Sequence, residues 1–210
     1  MKINKIVVGP IQTNCYLVYD ETSKEAVIVD PGDESSKIEK AVRGLPVTVK
    51  AVLLTHGHFD HVTSAEDIAR AFNVPVMIHK NDEILVSSIG SRIGRMLGFG
   101  TAQVNVNTFL NDGDKIKVGG SEFEVLLTPG HTQGSICLYS KNDGILISGD
   151  TVFKNDVGRI DLVGGSEEQM MNTLKEKLFS LPDETKVYPG HGHSTVLGNE
   201  KTLWRSWGIK

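Results

Sequence analysis

Apolar residues occur in short runs along the first third of the chain, and turn-forming residues separate the runs. The runs cover residues 3–8, 15–19 and 26–29. β-Branched runs of this length, bounded by pairs such as Gly9-Pro10 and Pro31-Gly32, predict strands. A longer apolar run at 49–54 predicts a strand that is covered on both faces.

Helical spacing appears between these runs. Residues 34–42 form a polar helical pattern that stops near Gly44 and Pro46. Residues 64–72 place their apolar side chains three and four positions apart, which predicts an amphipathic helix before a strand at 74–78. Residues 82–97 combine helical spacing with two glycines, and we interpret them as a helix, a mobile flap or both.

The second half of the chain repeats this order of strands followed by helices. Strands are predicted at 115–118, 122–127, 135–139, 145–148 and 186–188. Ser166 is placed to cap a helix that runs to about residue 179, and a short helix is expected near Asn199. Two successive sets of strands and helices predict an α/β (α+β) four-layer αβ/βα sandwich in one domain, residues 1–210.

Composition narrows the class of protein. The net charge is -4 and the pI is about 6.0, so nothing suggests a nucleic-acid partner. No apolar run approaches the ~20 residues that a membrane span needs, and the N-terminus does not resemble a signal peptide. Cys15 and Cys137 lie in apolar runs and are expected to be buried, reduced thiols. We therefore expect a soluble cytoplasmic protein with a small-molecule substrate.

The chemistry concentrates where the apolar strand at 49–54 ends. His56, His58, Asp60 and His61 follow it within six residues, and imidazole and carboxylate are ligands for divalent metals. In an extended or tightly turned loop, His56 and His58 face one ion, while Asp60 and His61 face a second. Gly57 would remove a side chain that otherwise crowds the metals.

Three further candidate ligands follow other predicted strands. They are His131, Asp150 and His191, and a glycine directly precedes each of them. Four loops that follow predicted strands thus carry histidine or aspartate side chains that can bind a metal. They predict a shared site at one edge of the sandwich. Of the two remaining histidines, His79 is expected on the surface, and His193 in solvent or orienting a ligand.

The segment Thr55-His56-Gly57-His58-Phe59-Asp60-His61 resembles the T-H-x-H-x-D-H signature of the metallo-β-lactamase superfamily. His131, Asp150 and His191 match the later metal motifs of that family in order and rough spacing. The resemblance covers nearly the whole chain and implies the same αβ/βα sandwich. It also implies two metal sites bridged by Asp150. The first would be held by His56, His58 and His131, and the second by Asp60, His61 and His191.

Within that superfamily, the chain is similar to the glyoxalase II group in its short, single-domain form. The stretches 149–153 and 158–165 resemble the loop that follows the bridging aspartate in that group. The resemblance implies hydrolysis of S-2-hydroxyacylglutathione thioesters and places Arg159 against the glutathione moiety. The longer enzymes add a C-terminal helical domain with further glutathione contacts.

The mechanism implied is attack on the thioester carbonyl by a hydroxide that bridges two divalent ions. Asp60 or Asp150 would shuttle a proton, and Asp30 is expected to brace the loop at 56–61. Zinc is the favoured ion, with iron and manganese as alternatives. The tail around Trp204 and Trp207 is expected to cover an apolar surface or an interface.

Three other functions remain open. The first is a persulfide dioxygenase, which uses one iron on the same scaffold. The second is a phosphodiesterase or nuclease, since two ions also clamp phosphates. The third is a non-catalytic metal-binding module. Retention of Asp60, His61 and His191 favours two metals and therefore the hydrolase.

Overall fold

The computed structural model describes residues 1–89, 92, 96, 103–162 and 164–209. Its first sheet has six strands in chain order. They are β1 (Lys2–Val8), β2 (Thr13–Tyr19), β3 (Glu25–Val29), β4 (Thr48–Leu53), β5 (Val76–His79) and β6 (Thr108–Leu110). The first three strands pair antiparallel, and β3 to β6 run parallel. The carboxyl ends of β3, β4 and β5 therefore meet at one edge.

The second sheet also has six strands, in the order β14-β13-β10-β9-β8-β7. They are β7 (Lys115–Val118), β8 (Ser121–Leu127), β9 (Ile136–Ser140), β10 (Ile145–Gly149), β13 (Lys186–Pro189) and β14 (Thr195–Val196). A two-stranded hairpin, β11 (Val152–Phe153) and β12 (Asp156–Val157), follows β10. Because β8, β10 and β13 point the same way, their carboxyl ends also share an edge.

Helices cover the outer faces of both sheets. The first sheet carries α1 (Ser35–Arg43) and α3 (Ala65–Phe72), and the short α2 (Phe59–Val62) lies in the loop after β4. The second sheet carries α4 (Glu167–Asn172), which continues as a π-helical turn (Thr173–Leu178), and α5 (Leu197–Ser206). The Ser166 side chain accepts a hydrogen bond from Gln169 N, so the predicted cap is confirmed.

Alternation along the strands separates three apolar layers. On β2, Cys15 and Leu17 face α1 and α3, whereas Tyr16 and Val18 face the second sheet. On β9, Ile136 and Leu138 lie between the sheets, and Cys137 packs toward α4 and α5. This period of two confirms the four-layer sandwich. Both cysteine thiols are free and buried, as predicted.

Several sequence-based expectations need correction. His79 is buried at 8% exposure rather than on the surface, and it ends β5 with its Nδ1 accepting a hydrogen bond from Asn81 N. The strands β6, β11, β12 and β14 were not predicted, since two or three residues carry no usable periodicity. Residues 59–62 form a helical turn, which agrees with the tightly turned alternative expected for this loop.

The 82–97 segment is described only in part. A 3₁₀ turn (Lys80–Asp82) and a π-helical turn (Leu85–Ile89) bear out helical character at its start. The rest of that prediction falls largely outside the described residues, as does Val163 of the loop after Asp150. None of the helices that the structure describes is both long and apolar enough to cross a bilayer.

Candidate metal centre

Seven predicted ligands converge at the edge where the strand ends meet. The loop after β4 carries four of them, and the loops after β8, β10 and β13 carry one each. The seven are His56, His58, Asp60, His61, His131, Asp150 and His191. Because the carboxyl ends of parallel strands lie at the same edge of a sheet, loops that are far apart in sequence contribute ligands to one site.

The first group consists of His56, His58 and His131, whose ligand atoms lie within 4.8 Å of one another. His58 Nδ1 and His131 Nε2 are 2.8 Å apart, and the rings meet nearly at right angles. Extended backbone at His58, with φ -68° and ψ 143°, points its ring back toward His56. This arrangement is a three-imidazole face suitable for one divalent ion.

The second group consists of Asp60, His61 and His191. His191 Nε2 lies 3.2 Å from both His61 Nε2 and Asp60 Oδ2. Asp60 and His61 stand in α2, which begins directly after His58, and the helical turn brings them to His191. The ring centroids of His61 and His56 are also only 4.2 Å apart. The helical turn thus directs one six-residue segment into two neighbouring sites.

Asp150 lies between the two groups. Its Oδ1 is 3.4 Å from His61 Nε2, and its Oδ2 is 3.6 Å from both His131 Nε2 and His191 Nε2. One carboxylate therefore reaches ligands of both groups, which is the geometry a bridging ligand requires. A Cβ at Gly190 would overlap Asp150 Oδ1, so glycine at that position keeps the space open.

The donor set fits bound divalent ions. His56 Nε2 and Asp150 Oδ1 are buried and find no hydrogen-bond partner among the described residues. His131 Nδ1 donates to Arg159 O at 2.7 Å, which leaves a lone pair on Nε2 facing His58. Buried lone pairs directed at each other are unfavourable unless a cation lies between them.

Hydrogen bonds with Asp30 and Thr55, which lie around the centre, set the tautomers of two of its histidines. Asp30 Oδ2 accepts from His61 Nδ1 at 2.9 Å and from Thr55 Oγ1 at 2.6 Å. Thr55 Oγ1 in turn lies 3.1 Å from His56 Nδ1. Both histidines therefore direct Nε2 into the site, and the predicted bracing role of Asp30 is confirmed.

Burial keeps two histidines of the first group, His56 and His58, electrically neutral without metal. It lowers the pKa of His58 to about 3, and the neighbouring His131 adds to this effect. Burial, reinforced by His61, likewise holds the pKa of His56 well below its usual range. Neutral imidazole is the form that binds metal, so these rings need lose no proton on binding an ion.

The second group has a different electrostatic environment. Burial alone would lower the pKa of His61, yet Asp150, Asp60 and Asp30 together raise it to about 10. Burial alone would raise the pKa of Asp60, but His61 and His191 lower it overall. The three carboxylates that hold a proton on His61 attract a metal cation in the same way, so metal binding would displace that proton.

The centre opens to solvent on one side. The side chains of His191, Asp60 and Asp150 are 24%, 15% and 11% exposed, whereas His61 is fully buried. His193 is exposed, which agrees with its expected position in solvent. His58 of the first group is also partly exposed, so the open side includes residues of both groups.

Arg159, predicted to bind substrate, stands at the surface beside this opening. Its carbonyl accepts from His131, which ties its backbone to the first group. Its guanidinium makes two hydrogen bonds to Asp161, at 2.9 and 2.8 Å, and both side chains are largely exposed. Substrate binding by Arg159 stays a prediction.

Asp82 is a buried carboxylate that was not among the predicted site residues. Its carboxylate is fully buried and accepts from Gly57 N, Thr132 Oγ1 and Gly134 N. An acidic residue soon after a strand that ends at the ligand edge was the available signal, but its charged neighbours suggested a helix start. The expectation that Gly57 prevents crowding of the metals is wrong. A Cβ there would meet Leu85 Cβ at 2.6 Å and Asp82 O at 3.0 Å, not the metals.

Relatives in sequence include two proteins matched over nearly their whole length. An uncharacterised protein of Aquifex aeolicus is 41% identical over 97% of this chain and 95% of its own. The hydroxyacylglutathione hydrolase GloC of Haemophilus influenzae is 34% identical over 96% of this chain and 95% of its own.

Solved structures show the same fold. BLEG-1, described as a B3 metallo-beta-lactamase, has a TM-score of 0.89 at 32% identity and covers 96% of this chain and 97% of its own. TTHA1623, in a di-iron-bound form, has a TM-score of 0.84 at 37% identity, covering 95% and 98%. The family model of the metallo-beta-lactamase superfamily matches residues 8–191. The chain therefore belongs to the metallo-beta-lactamase superfamily, whose members are mostly metal-dependent hydrolases.

Proposed function

We propose that this protein is a two-metal thioesterase that hydrolyses S-2-hydroxyacylglutathione-type thioesters. The observation that carries the proposal is the pair of ligand groups that share Asp150, with Oδ atoms 3.4 to 3.6 Å from ligands of both. The similarity to GloC supports the substrate class, and we favour zinc as the metal.

Two divalent ions, when bound, would acidify a water and polarise the thioester carbonyl. His56, His58 and His131 would hold the first ion, and Asp60, His61 and His191 the second. Asp30 keeps the Nε2 atoms of His56 and His61 directed inward.

Asp60 and Asp150 would handle the protons of the reaction. Both carboxylates stand at the open side, and Asp60 is also held by Thr13 Oγ1 at 3.3 Å. We assign them to accept the proton released by the attacking water. A thiolate is a good leaving group, so the reaction needs no dedicated acid at the sulfur.

Arg159 would bind a carboxylate of the glutathione moiety. Because both side chains of the Arg159–Asp161 pair are largely exposed, water and salt screen the attraction between them. A substrate carboxylate can therefore replace Asp161 as the partner at little cost.

The direct test is hydrolysis of S-D-lactoylglutathione by protein stripped with a chelator and reloaded with zinc. We expect two ions per chain and a kcat/KM of about 10⁴ M⁻¹s⁻¹ or above. Asp150→Asn should lose activity and metal, whereas the remote surface variant Asp112→Asn should retain both. Full activity of Asp150→Asn at reduced metal content would contradict the proposal.

Two further assays separate the proposal from its alternatives. The iron-loaded protein is tested for dioxygen consumption with glutathione persulfide, since TTHA1623 holds two irons on this scaffold. The zinc-loaded protein is tested on a cephalosporin, because BLEG-1 is described as a β-lactamase. A kcat/KM in either assay that exceeds the value for the thioester would overturn the substrate class proposed here.

A further inference from the structure

Asp82 connects the two loops that carry the first ligand group. Gly57 N and Thr132 Oγ1 both donate to its Oδ2, at 2.8 and 2.7 Å, and Gly134 N donates to Oδ1 at 2.7 Å. Gly57 stands between His56 and His58, and Thr132 follows His131 directly. One buried carboxylate therefore links the loop that carries His56 and His58 to the loop that carries His131.

The site of Asp82 is closely fitted. A Cβ at Gly57 would meet Asp82 O at 3.0 Å, and a Cβ at Gly134 would meet Asp82 Oδ1 at 2.6 Å. Both loops therefore approach Asp82 through glycine. A deeper backbone bond, from Ile136 N to Thr55 O at 2.8 Å, joins the same two loops independently of Asp82. Loss of the carboxylate should thus shift the loops without unfolding them.

The second ligand group is braced by different residues. Asp30 accepts from His61 Nδ1 at 2.9 Å, and Thr13 Oγ1 donates to Asp60 Oδ2 at 3.3 Å. Asn14 N donates to Gly190 O at 2.7 Å, one residue before His191. Asp82 thus accepts hydrogen bonds from the loops of the first group, whereas Asp30 supports His61 directly and also supports His56 through Thr55.

We propose that Asp82 is the positioning residue of the first metal site, and that it sets the affinity of that site separately from the second. The inference rests on the two-metal centre of the proposed function. Asparagine at this position cannot reproduce the three contacts. Whichever way the amide is oriented, its NH₂ faces a backbone N–H or the Thr132 hydroxyl, so a donor is placed against a donor.

The test is a metal titration of the full chain, stripped and then reloaded with Co²⁺, in competition with a chelator. We expect Asp82→Asn to lower the affinity for one of two ions about 10- to 100-fold and to leave the other within threefold. Its cobalt spectrum at one equivalent should match that of His58→Ala rather than that of His191→Ala. Asp30→Asn should weaken both ions, because Asp30 supports His61 directly and His56 through Thr55. The charge-matched surface variant Asp112→Asn should affect neither ion.

Circular dichroism and thermal unfolding verify that each variant folds. Should Asp82→Asn fail to fold, Thr132→Val removes one of the three donors and should weaken the same ion to a smaller degree. Unchanged affinities, or equal weakening of both ions in a folded variant, would overturn the inference. Wild-type protein that binds a single ion would refute the two-metal function, yet weakening of that ion by Asp82→Asn and not by Asp112→Asn would still support the role of Asp82.

Discussion

Asp30 Oδ2 accepts a hydrogen bond from His61 Nδ1 at 2.9 Å across 31 residues of sequence. The same carboxylate accepts from Thr55 N at 2.8 Å, so it joins the end of β4 to a candidate metal ligand. Because Nδ1 is held as a donor, Nε2 is the atom of His61 that faces Asp150 and His191, and it would offer a lone pair once a metal ion displaces its proton. The tautomer of His61 is therefore set by Asp30, which lies outside the second ligand group.

Replacement of Asp30 by asparagine should damage the catalytic centre more than the fold. An amide keeps one acceptor oxygen, but its NH₂ must then face Thr55 N–H or another donor, which leaves His61 poorly oriented. We expect zinc-dependent thioester turnover to fall about 10- to 100-fold. Steady-state kinetics at saturating zinc measure this. Asp33→Asn, three residues along, is the control, and turnover of Asp30→Asn within twofold of wild type would contradict the assignment.

The metal-free protein should lose stability as pH rises above neutrality. The pKa of His61 is about 10 in the fold, where Asp150, Asp60 and Asp30 surround it, against about 6.5 in an unfolded chain. Between these values the folded chain holds a proton that the unfolded chain has released, so the free energy of unfolding falls with pH. Urea unfolding of chelated protein at pH 7 and pH 9.5 tests this.

His61→Gln is the control for that experiment, since it removes the titrating group. The difference in unfolding free energy between pH 7 and pH 9.5 should be smaller in this variant than in wild type. An equal difference in both proteins would show that His61 is not the group responsible.

Gly190→Ala should abolish metal-dependent activity. The added methyl would overlap Asp150 Oδ1 and lie 2.7 Å from His61 Cε1, so both side chains would have to shift. A displacement of about 1 Å at a reacting centre costs about 100-fold in rate. Metal content and thioester turnover measure the loss. Gly44→Ala, where a Cβ meets only ordinary contacts at 3.5 Å, is the matched control and should change neither quantity.

Trp204 and Trp207 should differ sharply in their effect on stability. Trp204 is fully buried in the layer beneath the second sheet, whereas Trp207 is 42% exposed. The expectation that the tail covers an apolar surface is thus confirmed for Trp204. Trp204→Ala should lower the free energy of unfolding by about 3 to 5 kcal/mol. Trp207→Ala should change it by less than about 0.5 kcal/mol, measured by urea unfolding. Similar losses in both variants would be inconsistent with this packing.

Arg159→Gln tests the proposed contact with the substrate. If its guanidinium binds a substrate carboxylate, KM for S-D-lactoylglutathione should rise about tenfold with little change in kcat, because binding is lost equally in ground and transition states. Asp161→Asn should lower KM, since it removes the competing partner. Unaltered KM in both variants would remove Arg159 from the site.

Much of the ligand set could be read from the sequence because metal chemistry restricts residue type. Few side chains bind divalent ions, and His56, His58, Asp60 and His61 stand together directly after an apolar strand. The layers of the sandwich could also be predicted from the sequence. Alternation along strands such as β2 and β9 directs every second side chain to one face, whatever the rest of the chain does.

Contacts between distant residues were decided only by the tertiary structure. Asp82 meets Gly57, Thr132 and Gly134 across 25, 50 and 52 residues, and its position soon after β5 does not by itself distinguish it from a surface acid. His79 lies among charged residues that suggest a surface position, yet its side chain is buried. Residue type and local periodicity therefore determined the ligands and the layers. The fold alone decided which buried carboxylate supports each ligand group, because hydrogen-bond partners are chosen by proximity in space.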